Sequence, residues 1–487
     1  ARAALAAVPS AVRRGGALAA AELYEAAAAL AELPADRGER LVLAAEAAWE
    51  GGAPARAGAL LARSAGTPLG GASGAGAVAA RAARVAGRMT LSRGHHADAF
   101  GHYLDGAANG GPDAADLVSR ATGIAWWEGR HDWAARAAEV ALGAVSGDTA
   151  LGRAVRLAAP GGGRLLAGDF AGARRGFAAA LALEGEMRTA RGLLFLGETA
   201  SLAGDDQAGL RLHRRAIEEA RRAGDSAELP FALQVMGMLQ ASAGRLWEAK
   251  AMAEQGLRAA GAQDEERRGA YQSALLAQLD ALIGDEDACR AHAARVGIGA
   301  AGGDIALTCW ALGRLELVRG RPREALEQLR RVFDGPAGHP VFRLYIAPDL
   351  VEAGVLAGEE PVARGALGLF GRGALAGASG GAGVLPRLRG LLSEPGSAGT
   401  HFRAAVESAS GRLFDHARAR YLMGRHLRRV RRRVESRDEL RAAMSAFDTL
   451  GLAGWGALVR RELRASGEVP PGEGETPDLA LLTAQET

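Results

Sequence analysis

His95, Asp98 and His102 have side chains of the types that bind transition metals. Their spacing of i, i+3 and i+7 places them on one face of a helix, where three ligands could surround one ion. A polar helix face in contact with solvent explains the same pattern without a metal. A second group of metal-binding residue types, for which ordinary helix packing is the alternative, comprises Cys289, His292 and Cys309. We therefore predict no metal site in this chain.

Two glycine motifs have the spelling of ligand-binding or catalytic loops. Residues 297–302 spell G-x-G-x-x-G, which binds a dinucleotide pyrophosphate when it lies between a strand and a helix. The residues before it are predicted to be helical, so we interpret the motif as a turn between repeats. Residues 377–381 spell G-x-S-x-G, the turn that exposes a nucleophilic serine in hydrolases, but they lie in a glycine-rich loop without a preceding strand.

Lys250 is the only lysine of the chain, and its surroundings do not form the G-x-x-x-x-G-K-[ST] loop of nucleotide-hydrolysing enzymes. With no better arrangement of acids, bases or nucleophiles in view, we predict no catalytic residue and no cofactor. The sequence favours a protein that is not an enzyme.

A run of arginines near the C-terminal end could bind a phosphate, a nucleotide or an acidic protein surface through paired hydrogen bonds. A basic helix end is the alternative, because cations stabilise the C-terminus of a helix. We name these five candidate partner-binding residues the arginine run. They are Arg428, Arg429, Arg431, Arg432 and Arg433.

Tryptophans stand out because aromatic residues make up only 5% of the sequence. Arrays of helical repeats bind partners on the concave face of their stacked helices, so tryptophans there are candidate binding residues. Trp133 and Trp247 follow turn glycines, where a repeat normally packs an aromatic side chain, and core packing is the alternative for them. The candidate partner-binding tryptophans are Trp126, Trp127 and Trp310.

Charge and composition exclude several classes of protein. Basic and acidic residues number 59 and 56, and the net charge of +3 argues against an extensive nucleic-acid surface. No apolar run approaches the roughly 18 residues of a membrane span, and the first residues do not form a signal peptide. The 2 cysteines cannot form a disulfide framework, so we expect a cytoplasmic protein that does not bind membranes.

A turn glycine followed five residues later by a small residue recurs along the chain and indicates a repeat. From Gly94 onward, successive turn glycines are 35 to 40 residues apart. Two antiparallel helices explain the pattern, because the glycine ends the first helix in a left-handed cap and the small residue lets the backbones approach. The turn glycines are Gly52, Gly94, Gly129, Gly168, Gly204, Gly244, Gly284, Gly320 and Gly358.

Apolar residues recur at intervals of three and four, not two, so we predict an all-α chain. The predicted architecture is a right-handed superhelical array of antiparallel helix pairs, a tetratricopeptide-like α-solenoid. Residues 1–400 form the array and residues 401–466 form basic terminal helix pairs. Residues 467–487 form an acidic linker rich in proline and glycine, followed by the start of another helical pattern. Glycine-rich connections are predicted at residues 67–76, 335–340 and 372–386.

The C-terminal part of the sequence contains three recognisable stretches. An arginine-rich helix covers residues 418–433, shorter helices follow at residues 440–467, and the letters L-T-A-Q-E stand at residues 482–486. These stretches resemble the end of the helical-repeat region of large ATP-binding LuxR-type transcriptional regulators, in which L-T-x-Q-E leads into the DNA-binding domain. The detailed match covers residues 412–487, and a weaker repeat-level resemblance extends over nearly the whole chain.

The resemblance implies a helical-repeat region that receives a signal and controls assembly, between an ATPase module and a DNA-binding domain. The resemblance assigns residues 467–487 to the acidic linker and the start of a truncated LuxR-type DNA-binding domain. The ATPase module and the DNA-reading helices are not in this sequence, so DNA is expected to bind only through a domain absent from it. We expect a protein partner or a small-molecule inducer on the concave surface and leave self-association open. The alternative is a stand-alone scaffold of tetratricopeptide-like repeats that binds a peptide or a protein.

Overall fold

The computed structural model describes residues 2–13, 16–67, 74–108, 110–223, 229–242, 244–263, 266–297, 300–335, 337–375, 383–409 and 413–468. Within these ranges the chain forms 25 α-helices, one short 3-10 helix at Glu184–Glu186 and no strand, which confirms the all-α prediction. The G-x-S-x-G motif, the L-T-A-Q-E stretch and most of the acidic linker lie outside the described residues. No helix in the described ranges is long and apolar enough to cross a membrane.

The helices follow one another with short connections. The first twelve are α1 (Arg2–Arg13), α2 (Ala17–Ala29), α3 (Pro34–Glu50), α4 (Pro54–Ala65), α5 (Ala75–Ser92), α6 (His96–Ala107), α7 (Ala114–Glu128), α8 (His131–Ala144), α9 (Ala150–Leu166), α10 (Phe170–Leu181), α11 (Ala190–Leu202) and α12 (Asp206–Ala223). The next are α13 (Leu229–Ser242), α14 (Leu246–Gln263), α15 (Glu266–Ile283), α16 (Glu286–Ala294), α17 (Gly302–Val318), α18 (Pro322–Phe333), α19 (Phe342–Ala357), α20 (Glu360–Leu375), α21 (Val384–Leu391), α22 (Pro395–Ser408), α23 (Leu413–Arg429), α24 (Arg433–Thr449) and α25 (Ala453–Ala465).

The nine predicted turn glycines all adopt positive φ angles, between 68° and 93°. Each lies between an odd-numbered helix and the even-numbered helix that follows it, which confirms the predicted left-handed caps. The small residue five positions later is buried in every pair. In α17, a Cβ atom on Gly313 would lie 2.6 Å from Cγ of Leu329 on α18, so the glycine permits the close approach of the two helices.

The α23–α24 pair has the same arrangement with a different turn residue. Arg431 stands at the turn with a φ of 64°, the only positive φ outside glycine in the described chain. Ser436 is the buried small residue, and its hydroxyl donates to the carbonyl oxygen of Gly424 at 2.8 Å. The glycine pattern of the sequence does not predict this turn, because its turn residue is an arginine.

Consecutive helices pack against one another along the whole chain, as in a solenoid. A few contacts join helices that are distant in sequence: α7 touches α17, and α15 touches both α5 and α25. The array therefore curls until separate stretches of the chain meet, and the helices line an interior space.

Two predicted boundaries can be compared with the helices. α20 continues to Leu375 and α21 begins at Val384, so the third glycine-rich connection is shorter than predicted. The proposed start of the terminal helix pairs, residue 401, lies inside α22. The division of the chain at residue 400 stays a prediction.

Candidate ligand-binding cavity

The interior space is a cavity of about 1950 Å³, and its lining residues come from positions between 49 and 450. Most belong to odd-numbered helices, the first helix of each pair. The lining contains 4 of the 7 tryptophans and 3 of the 5 tyrosines of the chain. They are Trp49, Trp126, Trp127, Trp310, Tyr103, Tyr271 and Tyr345. The few aromatic residues of this sequence are therefore concentrated around one space.

Helix α15 contributes one stripe of side chains to the cavity wall. The stripe follows helical spacing, because residues three, four and seven positions apart share a face. Its members are Arg267, Tyr271, Leu275, Gln278 and Leu282.

Two of the three predicted tryptophans donate hydrogen bonds to buried aspartates. Nε1 of Trp127 donates to Asp304 Oδ1 at 3.0 Å, and Nε1 of Trp310 donates to Asp349 Oδ2 at 2.6 Å. Trp126 packs instead on Phe195, with the ring centroids 5.7 Å apart. All three line the cavity, and their role in partner binding stays a prediction.

The other two tryptophans considered above do not line the cavity. Trp133 stacks on Phe100, with the ring centroids 4.7 Å apart. The guanidinium of Arg130 also lies over the Trp133 ring, 4.7 Å from its centroid. Trp247 is 55% exposed and lies beside Gly451, so core packing does not describe it.

A buried charge cluster contributes four of its five side chains, all except Glu352, to the cavity wall. We define it as Arg314, Asp349, Glu352, Arg387 and Arg418, from α17, α19, α21 and α23. Asp349 Oδ2 accepts from Nη2 of Arg314 at 2.9 Å, and Asp349 Oδ1 accepts from Nη1 of Arg418 at 2.6 Å. Nη2 of Arg418 also donates to Glu352. Arg418 lies over Trp455, with 4.7 Å between guanidinium and ring centre.

The electrostatics of this cluster follow from burial and pairing. Burial alone raises the pKa of Asp349, but Arg314 and Arg418 outweigh it and hold that pKa well below its usual range. Burial lowers the pKa of Arg387 to about 10, and Arg418 acts in the same direction. Nε and Nη1 of Arg387 make no hydrogen bond, and the Arg387 guanidinium lies 3.5 Å from Asp415. The sequence does not predict the cluster, although Arg314 and Asp349 interrupt the largely apolar helices α17 and α19.

A second group of polar contacts joins the end of α7 to the start of α17 and to the turn before α19. The bonded residues are more than 170 positions apart in the sequence. We name this group the closure contact. Besides the bond from Trp127 to Asp304, Glu128 accepts from the backbone N–H of Gly302 at 2.9 Å. Nε2 of His339 donates to the carbonyl oxygen of Trp127 at 3.1 Å.

Close backbone approach makes the closure contact possible. A Cβ atom on Gly302 would lie 2.6 Å from the carbonyl oxygen of Glu128, and one on Gly303 would lie 2.6 Å from the indole of Trp127. Burial lowers the pKa of His339 to about 4, so its ring is neutral near pH 7. Gly302, the last glycine of the G-x-G-x-x-G motif, is thus the first residue of α17 and contacts the end of α7. Residues 298–299 of the motif lie outside the described residues.

The residues of the arginine run surround the turn between α23 and α24, and several are paired. Arg428 donates to Glu462 at 2.9 Å, and Arg432 donates to Glu435 at 2.6 Å. Arg431 is the turn residue with positive φ, and Arg433 begins α24. Burial lowers the pKa of Arg429. None of the five lines the cavity, and their proposed contact with a partner stays a prediction.

The candidate metal ligands do not converge. His95 lies at the start of α6, 3.7 Å from Asp98, and both side chains are largely exposed. Cys289 and Cys309 are buried in separate core clusters, while His292 bonds to Asp280 at 2.7 Å. Burial raises the pKa of Cys289 to about 12. Among the described residues, no group of three or more His, Cys, Asp or Glu side chains is placed to hold a metal ion.

The helix pairs and their left-handed caps define a helical-repeat protein, a tetratricopeptide-like α-solenoid. No protein-family profile matches the chain, and no curated protein sequence does. Many solved structures are similar to it, and two of them are named here. "Crystal structure of APC/C hetero-tetramer Cut9-Hcn1" shows 14% identity and a TM-score of 0.45, over 96% of this chain and 93% of that one. "Crystal Structure of Rap Protein Complexed with Competence and Sporulation Factor" shows 13% identity and a TM-score of 0.44, over 73% of this chain and 98% of that one.

Proposed function

We propose that this chain is a non-catalytic binding region whose interior cavity receives a ligand and transmits its presence through the helix array. The observation that carries the proposal is the cavity of about 1950 Å³ with four tryptophans in its wall. Aromatic side chains offer large apolar contact areas, and concave apolar spaces with a few convergent polar groups are the usual ligand sites.

The size of the cavity favours a peptide or a protein segment over a small metabolite. Small-molecule pockets usually have volumes of about 300–1,000 Å³. This cavity is about twice the upper value, and an extended peptide can occupy it along several helices.

The resemblance at residues 412–487 supports a more specific proposal, the sensor and assembly region of a LuxR-type transcriptional regulator. In that setting, the ligand shifts the array between two arrangements to the extent that it binds one of them better. A stand-alone scaffold is the second candidate, because the cavity by itself serves a peptide-binding scaffold equally well.

The binding proposal is tested by filling the cavity. Val235 lines the cavity from α13, and Leu233 on the same helix is exposed and does not line it. We expect Val235→Trp to abolish binding of peptides selected from a random 12-residue display library, and Leu233→Trp to leave it unchanged. Selection failure with peptides and with a metabolite library, or equal binding by both variants, would contradict the proposal.

Sequencing the gene on both sides of the segment that encodes this chain tests the proposal that it belongs to a LuxR-type regulator. A helix-turn-helix domain encoded directly after Thr487, together with an ATPase module upstream, is the expected result. A stop codon directly after Thr487 supports the stand-alone scaffold and removes the regulator proposal.

A further inference from the structure

Gln278 on α15 lies in the cavity wall with its side-chain amide unpaired. It is 6% exposed, and neither Oε1 nor Nε2 has a hydrogen-bond partner. Tyr271, two stripe positions before Gln278 in the same wall, is 2% exposed, and its hydroxyl is also unpaired. Buried polar groups are nearly always hydrogen-bonded, because leaving them unpaired costs free energy. An apolar side chain at either position would avoid that cost.

The amide group matches one particular kind of partner. A glutamine side chain offers both an acceptor and donors, and a backbone peptide unit offers one donor and one acceptor. A phosphate or a carboxylate supplies only acceptors, so it leaves Oε1 of Gln278 unpaired. One peptide unit can satisfy both ends of the Gln278 amide at once.

The spacing of the two side chains fits an extended chain. Gln278 and Tyr271 are seven residues apart, which corresponds to about 10.5 Å along the helix axis. An extended peptide covers that distance in about three residues. The apolar stripe members Leu275 and Leu282 lie beside the two polar groups and can contact the side chains of such a peptide.

We propose that Gln278 and Tyr271 bind the backbone of an extended peptide that lies along α15 in the cavity. This inference rests on the proposed binding function and names the ligand class for it. Recognition of the backbone gives affinity that does not depend on the peptide sequence, and the surrounding aromatic side chains select the peptide side chains.

The same helix provides a matched control. Gln272 is 3% exposed and its Oε1 is also unpaired, but it lies against Gly256 of α14 and does not line the cavity. Leucine removes an unpaired buried amide at position 278 and an unpaired buried carbonyl oxygen at position 272, so both variants should fold as stably as the wild type or more so. Thermal unfolding of both variants checks this first.

The experiment uses synthetic peptides selected on the full chain and shown by Val235→Trp to occupy the cavity. We expect Gln278→Leu to weaken their binding about tenfold, which corresponds to about 1.4 kcal/mol, and Tyr271→Phe to weaken it less. Gln272→Leu should bind as the wild type does. N-methylation of one backbone nitrogen of the peptide should weaken binding to the wild type and have no further effect on Gln278→Leu.

The alternative outcomes are distinct. If cavity peptides bind equally well to Gln278→Leu and to the wild type, the backbone-binding inference is wrong and the proposed function stands. If only non-peptide metabolites occupy the cavity, the peptide class is wrong. If nothing binds in a manner sensitive to Val235→Trp, the proposed function itself fails.

Discussion

In the buried charge cluster, Arg314 and Arg418 share the carboxylate of Asp349, and all three side chains are withdrawn from solvent. In the arginine run, Arg432 pairs with Glu435 across one helical turn, and both side chains are about half exposed. The two regions use the same ion pair chemistry under different solvation. A buried charge depends on its partner because water cannot replace that partner, whereas an exposed charge loses little when the partner is removed.

The largest expected effect comes from removing the shared carboxylate. Asp349→Ala leaves the buried guanidinium of Arg314 without its carboxylate partner and that of Arg418 with Glu352 alone, and we expect it to destabilise the fold by about 3–5 kcal/mol. The measurement is chemical unfolding at pH 7, with hydrogen exchange of α19 as the local probe. A loss below about 1 kcal/mol would show that solvent reaches the cluster.

The contribution of the Asp349 carboxylate to the free energy of unfolding should also depend on pH. The pKa of Asp349 lies below its usual value of 3.8 in the folded chain, so the unfolded chain takes up the proton first. Its contribution to stability is complete above the unfolded pKa and is lost as the pH falls below about 4. We expect the stability gap between wild type and Asp349→Asn to be widest at pH 7 and to narrow between pH 4 and pH 3. A gap that stays constant with pH would contradict this assignment.

A substitution at the turn of the arginine run should stabilise the fold, by less than Asp349→Ala destabilises it. Arg431 has a left-handed backbone, which costs a residue other than glycine about 1–2 kcal/mol. Glycine removes that cost but adds about 0.5–1 kcal/mol of chain entropy, so Arg431→Gly should stabilise the fold by about 0.5–1 kcal/mol. Arg432→Gly is the control, because Arg432 has a φ of −86° and should gain nothing. Thermal unfolding of the two variants decides whether Arg431 is under backbone strain.

The smallest effect is expected at the exposed pair. Glu435→Ala should change the free energy of unfolding by less than about 0.5 kcal/mol, and added salt should reduce that change further. Unfolding at low and high ionic strength measures it. A loss comparable to that of Asp349→Ala would remove the distinction between the two regions.

The repeat turns could be predicted from the sequence because each depends on a single residue. Glycine tolerates positive φ at little cost, so nine predicted turn glycines adopt it. The α23–α24 turn escaped prediction because Arg431 takes the same conformation without being glycine. A local rule based on residue type fails where surrounding contacts impose the conformation.

The cavity-lining residues were predicted only in part. Trp126, Trp127 and Trp310 were predicted as partner-binding residues because tryptophans stand out in a sequence with few aromatic residues, and all three line the cavity. The arginine run, predicted for the same role, lies outside the cavity. Gln278 and Asp349 have no distinctive spacing in the sequence, and their importance arises from what surrounds them in the fold.

The sequence by itself determined the all-α repeat, its period and the glycine caps, because these follow from backbone preferences within some forty residues. The tertiary structure alone decided that α7 meets α17, that the curled array lines a cavity, and which charges are buried. Those features join residues up to 212 positions apart, as in the bond from the His339 ring to the carbonyl oxygen of Trp127, and they depend on how far the array curls. Small rotations between neighbouring helix pairs add up along the chain to set that curvature, so a pattern within one repeat does not predict it.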